Sequence, residues 1–412
     1  MREADGSVVQ DKEMAQYDKE LEALVNQLNR ARPAGGEPLQ AGPEPVELPA
    51  QRPAGAEAPD LGPLDYILRR AVERKASDLI LTDGCGVVMR ILGELIADPE
   101  PTLDDRTIRR MAAPLLTPDL ADMLRRDLTL DFSFVRPGIG RFRANLHFQR
   151  GTLGVTLRVL PDRVPTIESL RLPKLLSRLA DKKKGLILVT GSAGSGKTST
   201  LAALIGLINR RHPHHIVTIE DPIEYRHVNE RSVIEQIEVG RDAHSFAGAL
   251  RSILRQSPDV ILLGEIRDTE TMSAAITAAE TGHLVLATLH TNDAVRAVGR
   301  VVDGFPADQQ NQIRQQLSLG LAAVIAQQLV PAAEGNERYP AVEVLMSNHA
   351  VSNLIRKGED HMLRSQLSLG RAEGMIMMEE SLGDLVRDGK VTPEVAYSHS
   401  SRPDELRRYL QR

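Results

Sequence analysis

Residues 191–198 read GSAGSGKT, the pattern G-x-x-x-x-G-K-[ST], directly after the apolar run GLILVT and before the helical run TSTLAALIGLINR. That strand–loop–helix context is the one a phosphate-binding loop needs. Gly191, Gly194 and Gly196 let the backbone turn tightly. Successive amides from Ser192, Ala193 and Ser195 to Thr198 and Ser199 can then point inward, and the helix N-terminus adds partial positive charge for an anion. In such a loop Lys197 reaches the β- and γ-phosphates of a nucleotide triphosphate, and the Thr198 hydroxyl ligates Mg²⁺. DVILLGEIRD (259–268) supplies a carboxylate. Ligands gather at the C-terminal ends of parallel strands, so Glu265, which ends the apolar run, and not Asp259, which begins it, stands at the phosphate end. There it can orient water or accept its proton. In TIEDPIEY (218–225), Glu220, Asp221 and Glu224 gather three acids around Pro222. Such a cluster beside phosphates needs a cation to offset its repulsion, so these residues join Thr198 as candidate Mg²⁺ positions, direct or through water. AETGHLVLATLHT (279–291) places His283 at the start and His290 at the end of one apolar run. Each is either a satisfied strand-end histidine or, with His290 at the phosphate end, a γ-phosphate sensor or coupling element. No cysteine or third histidine stands at zinc-site spacing.

These segments require a frame. GLILVT (185–190), HIVTIE (215–220), DVILLGE (259–265) and HLVLATL (283–289) are continuous apolar runs separated by helical stretches, the pattern of a parallel sheet buried on both faces. They define an α/β core over 170–340, followed by a mainly helical region over 341–412. Ahead of the core, 61–165 reads as an α+β domain. A helix at LDYILRRAVERKA leads into strand-like SDLILT, VVMRIL, LDFSFV, RFRANLHFQ and GVTLRVL, with glycines and prolines as turns. PDRVPTIESL connects the two. Residues 31–60 hold seven prolines and read as a disordered, semi-extended tether. Residues 1–30 form an acidic tail in which Met14, Tyr17, Leu21, Leu24, Val25 and Leu28 recur at helical spacing. This short amphipathic helix is either a solvated element or a docking or coiled-coil element that needs a partner to be stable.

The chain has 412 residues, 42% of them hydrophobic, enough for two or three domains. The first sixty residues carry twelve acids and six bases, the remainder 44 and 45, so the body is neutral and the tail acidic. No run approaches the roughly 20 apolar residues of a membrane span, and the N-terminus lacks the apolar segment of a secretory signal. The single cysteine, Cys85, excludes an internal disulfide and any multi-cysteine zinc site, and fits a reducing compartment. Aromatic residues are 3% with no tryptophan, and the net charge is −5. Both argue against a nucleic-acid partner.

GSAGSGKT, TIEDPIEY, DVILLGEIRD and AETGHLVLATLHT, in that order, resemble the Walker A, aspartate box, atypical Walker B and histidine box of the type II/type IV secretion ATPase superfamily. The likeness runs from about residue 63 to 400 and is strongest to the pilus-retraction (twitching motility) ATPases. It implies a PAS-like N-terminal domain and a RecA-like P-loop ATPase domain, with ATP and Mg²⁺ as cofactors and Glu265, Glu224, Lys197 and His290 in catalysis. It also implies a cytoplasmic homohexamer, peripheral to the inner membrane, that acts on a membrane-embedded pilus platform protein and works beside a paralogous pilus motor ATPase. Family members direct two arginines fifteen residues apart toward the γ-phosphate. Arg143 and Arg158 match, although on residue type alone they are ordinary exposed strand arginines. One cysteine excludes the four-cysteine module usual in extension and type II secretion ATPases. Residues 350–357, AVSNLIRK, match the retraction segment AIRNLIRE in part, with Ser352 for Arg and Lys357 for an acid. The resemblance therefore implies a pilus-retraction motor. The alternatives are a motor of another type IV or IVB secretion or conjugation system, and a nucleotide-binding accessory subunit.

Overall fold

The computed structural model describes residues 62–91, 93–97, 102–335 and 337–411. The expected amphipathic helix and tether within 1–60 lie outside the described residues.

The N-terminal domain is a six-stranded antiparallel sheet in the order β3-β2-β1-β6-β5-β4. Its strands are β1 (Asp78–Leu81), β2 (Val88–Ile91), β3 (Glu94–Ala97), β4 (Thr129–Arg136), β5 (Gly140–Gln149) and β6 (Thr152–Leu160). One face packs under the helix Pro63–Glu73, whose Leu64, Ile67, Leu68 and Ala71 are buried at the i, i+3, i+4, i+7 spacing of an apolar stripe. Opposite them β5 turns Phe142, Ala144 and Leu146 inward, each fully buried. Burying one such large side chain stabilises the domain by about 1.5–3 kcal/mol. Arg136 ion-pairs with Asp65 at the helix start, both nearly buried, and ties the helix to the end of β4.

The ATPase domain carries a seven-stranded sheet in the order β13-β12-β7-β11-β10-β8-β9. The strands are β7 (Gly185–Thr190), β8 (His215–Glu220), β9 (Val233–Glu238), β10 (Val260–Leu263), β11 (Leu284–Leu289), β12 (Leu321–Pro331) and β13 (Arg338–Met346). All are parallel to their neighbours except β13, which is antiparallel to β12. Every residue of β7, β10 and β11 is buried, because helices cover both faces. The sheet therefore continues past 340, to Met346, and the helical region begins at His349.

Candidate active site

The strand order places the expected segments side by side. The loop after β7, His290 after β11, Glu265 after β10 and the aspartate-box turn after β8 follow one another along the C-terminal edge of the sheet. There they enclose a cavity of about 170 Å³ that Lys197, Thr198, Glu220, Asp221, Glu224, Glu265 and His290 all line. Thr291 N–H donates to Thr190 Oγ1 (2.8 Å), fixing the end of β7 to the end of β11. Thr288 Oγ1 donates to the Gly264 carbonyl (2.6 Å), fixing β11 to the turn before Glu265.

The loop's glycines are required by its shape. Gly191, Gly194 and Gly196 adopt φ of 150°, 75° and 89°, a region that side chains disfavour. A Cβ at Gly191 would fall 2.2 Å from the Gln327 carbonyl oxygen and 2.5 Å from Ser195 Oγ. Ser195 is buried, whereas Ser192, Ala193 and Gly194 are exposed. Gln327, buried on β12, donates to the Ser195 carbonyl (2.8 Å) and accepts from Thr200 Oγ1 (2.7 Å), locking the loop from behind. The helix Lys197–Arg211 has Gly196 as its N-cap and no side-chain cap, so its first amides stay available to an anion. Among the described residues, seven other helices are capped by Asp, Asn, Ser or Thr. Lys197 is buried, and its Nζ donates to the carbonyls of Gly191 (2.8 Å) and Ser192 (2.9 Å). Burial pulls its pKa down, opposed by the charge of Glu265.

Glu265 is gripped on both oxygens. Arg267 Nη2 lies 2.8 Å from Oε2, and His290 Nε2 lies 2.8 Å from Oε1. The Arg267 hydrogen bond first, then that of His290, hold the carboxyl below its ordinary range against partial burial. A carboxylate so held accepts a proton poorly and is suited to orienting a water molecule. Arg267 also reaches Asp221 Oδ2 at 3.3 Å. Sequence reasoning passed over this arginine because its two partners come from different strands. Glu220 is buried and accepts from Thr218 Oγ1 (2.7 Å) and Gln236 Nε2 (3.1 Å); burial pushes its pKa up. Tyr225 Oη lies 2.8 Å from Ser199 Oγ, linking the aspartate box to the phosphate-loop helix.

Three groups of expected site residues do not gather into one set within the cavity of a single chain. His283 lies at the N-terminal end of β11, with Nδ1 3.0 Å from the Ala278 carbonyl oxygen, and does not line the cavity. The strand's six residues put about 20 Å between it and the phosphate end. The candidate metal positions Thr198, Glu220, Asp221 and Glu224 share the cavity but not one ligand set, and among the described residues no three His, Cys, Asp or Glu side chains are arranged to hold a metal. Glu220 is committed to Thr218 and Gln236, and Asp221 to Arg267. Arg143 and Arg158 are not in the cavity. They stand directly opposite each other on β5 and β6, Arg143 3.5 Å from Asp131 and Arg158 3.0 Å from Asp78.

Residues 155–396 match the family described as type II/IV secretion system protein. The chain belongs to that family. This secretion ATPase is 40% identical over 347 residues to the type IV pilus ATPase PilU of Pseudomonas aeruginosa, covering 83% of the chain and 90% of the relative. To a twitching motility protein of Neisseria gonorrhoeae it is 42% identical over 323 residues, 78% of the chain and 86% of the relative. Among solved structures it resembles the pilus retraction motor PilT with bound ADP, at TM-score 0.79 and 42% identity, covering 85% of this chain and all of that one. It also resembles the Legionella pneumophila ATPase DotB, at TM-score 0.72 and 25% identity, over 83% of this chain and 97% of that one. The family membership and these likenesses bear out the reading of a nucleotide-binding ATPase with an N-terminal domain ahead of a RecA-like core. Among the described residues of this secretion ATPase, no helix is long and apolar enough to cross a membrane.

Proposed function

We propose that the chain is the subunit of a ring-shaped motor, a homohexamer, that hydrolyses ATP to retract a type IV pilus. One observation carries the reading: Lys197, His290, Glu265 and Glu224 converge on one cavity at the C-terminal edge of adjacent strands. The loop amides and Lys197 hold the phosphates, with Lys197 exchanging its carbonyl partners for phosphate oxygens. Glu265, held ionised by Arg267 and His290, orients the attacking water. The oxygen-only donors Thr198 and Glu224 fit Mg²⁺, which keeps most of its waters and takes one or two protein ligands beside phosphate oxygens. When bound, that ion neutralises charge on the β- and γ-phosphates.

Arg143 and Arg158 present their guanidinium groups together on one outward face, with Asp131 and Asp78 as partners of the kind a phosphate can displace. Donated by a neighbouring subunit, they stabilise transition-state charge, an effect worth about 10³–10⁵ in rate for such arginines. Hydrolysis then depends on assembly. The torque acts on a pilus platform protein of the inner membrane, from the cytoplasm, beside a paralogous pilus motor ATPase. Lys197→Ala should lower phosphate release by at least about a hundredfold, the scale of losing one preorganised charge donor, with the circular dichroism spectrum unchanged. Wild-type turnover in that variant would end the assignment. Deletion of the gene should leave excess, non-retracting filaments; loss of filaments would point to extension, and unchanged pili to another secretion system.

A further inference from the structure

Arg141 is the buried exception on β5. Along that strand Phe142, Ala144 and Leu146 face the core and the odd-numbered residues face outward, half-exposed at Arg143 and Asn145. Arg141 shares the outward face, yet only 7% of it is exposed. It is covered by the ATPase domain. Its Nη2 donates to the carbonyl of Ile223 (2.9 Å) and its Nη1 to the carbonyl of Glu224 (3.1 Å). Among the described residues no carboxylate accepts from it directly; burial and the like charge of Arg226 disfavour its cation, and the charges of Glu238, Glu220 and Asp162 oppose them only in part. A buried cation that relies on two carbonyls is costly to keep, so its retention calls for a role beyond stability.

The turn it grips has supports on three sides. From β9, Glu238 accepts from Ile223 N–H (3.1 Å), and Gln236 donates to the Tyr225 carbonyl (2.9 Å) while accepting from His227 N–H (2.9 Å). Tyr225 bonds the phosphate-loop helix through Ser199. The Glu224 carbonyl is taken up by Arg141 alone among the described side chains, and the Glu224 side chain lines the nucleotide cavity. Arg141 therefore joins the backbone of a cavity residue to the strand that carries Arg143 two positions on.

We infer that Arg141 is a positioning residue that couples the aspartate-box turn of its own chain to the arginine-bearing sheet, so that nucleotide at the Glu224 site moves the N-terminal domain through this contact. The inference rests on the proposed reading of the cavity. The test compares full-length wild type, Arg141→Gln and Arg141→Lys by steady-state ATP turnover, ADP affinity by calorimetry, and hydrogen exchange with and without ADP. In the wild type, ADP changes exchange both at 221–227 and at 140–149. In Arg141→Gln the change at 221–227 persists, the change at 140–149 is lost, kcat falls about tenfold and ADP affinity stays within about threefold. Arg141→Lys, which keeps the charge and one of the bonds, recovers part of kcat and of the response. Three results would overturn the coupling: a 140–149 response in Arg141→Gln equal to wild type, kcat within twofold of wild type, or ADP affinity lost in proportion to kcat. Absence of turnover in the wild type would instead sink the reading of the cavity.

Discussion

The phosphate edge of the seven-stranded sheet and the outward face of the six-stranded sheet both gather charged side chains, and they hold them in opposite ways. At the phosphate edge the groups are buried or half-buried and convergent, and each is fixed by close partners: Lys197 by carbonyls of its own loop, Glu265 by Arg267 of the same turn and His290 of the neighbouring strand end, Gln327 by Ser195 and Thr200. On the other face Arg143 and Arg158 lie side by side in the antiparallel register, partly exposed, each held by one aspartate. Like charges directly opposite each other destabilise a sheet pair. Here Asp131 and Asp78 each take up one of the pair; under the proposed function this face meets the phosphate of a neighbouring subunit, whereas the phosphate edge is organised within one chain. Arg141, two residues from Arg143, is the point where the two designs touch.

The sharpest way to break this contrast is to remove the group that the phosphate edge holds most firmly. Glu265→Gln keeps the shape and loses the charge that orients water. Turnover should fall by about 10²–10⁴, the range for a positioned acid–base or water-orienting side chain, with ADP affinity little changed. A loss below tenfold would mean that the firmly held carboxylate is structural and that Glu224 takes its place.

The outward face is tested by mixing. Arg143→Ala and Lys197→Ala chains, each inactive alone, should recover part of the activity when combined, because a Lys197→Ala neighbour still offers its arginines to an intact phosphate loop. Recovery of several per cent or more of wild-type phosphate release at an equal ratio is expected. No recovery at any ratio would place the arginines on their own chain's nucleotide, and the contrast between an internal and an external half-site would fall.

The two regions were unequally legible in the sequence. The phosphate loop was readable because its residues are the only ones that fit: glycine for positive φ, lysine for reach, and a helix without a capping side chain. The rule that ligands lie at the C-terminal ends of parallel strands distinguished Glu265 from Asp259, which accepts from His215 N–H at the far end. Applied to β11, the same rule excludes His283, so that signal was present and unused. The Arg267 contact to Asp221 and the Gln327 contact to Ser195 were not legible, because these partners lie 46 and 132 residues away and only strand order brings them together. Strand β12 was hidden by its junction, where the helix Ala307–Gly320 runs into Leu321 without a turn. Strand β9 was hidden by its polar alternation at the sheet edge. Arg141, in the RFR of β5, gave no sign of burial, since strand alternation places it outward and only the docking of a second domain covers it.

The smallest expected effect concerns pH, and it asks how the Glu265 carboxylate is kept ionised. Arg267, His290 and, at longer range, Lys197 face it. Its folded pKa is lowered from the usual 4.5, with the Arg267 hydrogen bond as the leading cause. The working form is the carboxylate, so activity that depends on it is present above that lowered pKa and is lost only as pH falls through it. Arg267→Ala removes the leading cause and leaves His290, so the acid limb of the kcat profile should move upward toward the ordinary carboxylate value. The kcat at pH 4.5, taken relative to its value at pH 8, should therefore be lower in Arg267→Ala than in the wild type. Arg267→Lys should shift the limb less, because an ammonium keeps the charge but not the planar fork. An acid limb that stays put in Arg267→Ala would assign the grip to His290 alone, and Arg267 would then serve chiefly to hold Asp221 out of the ligand set.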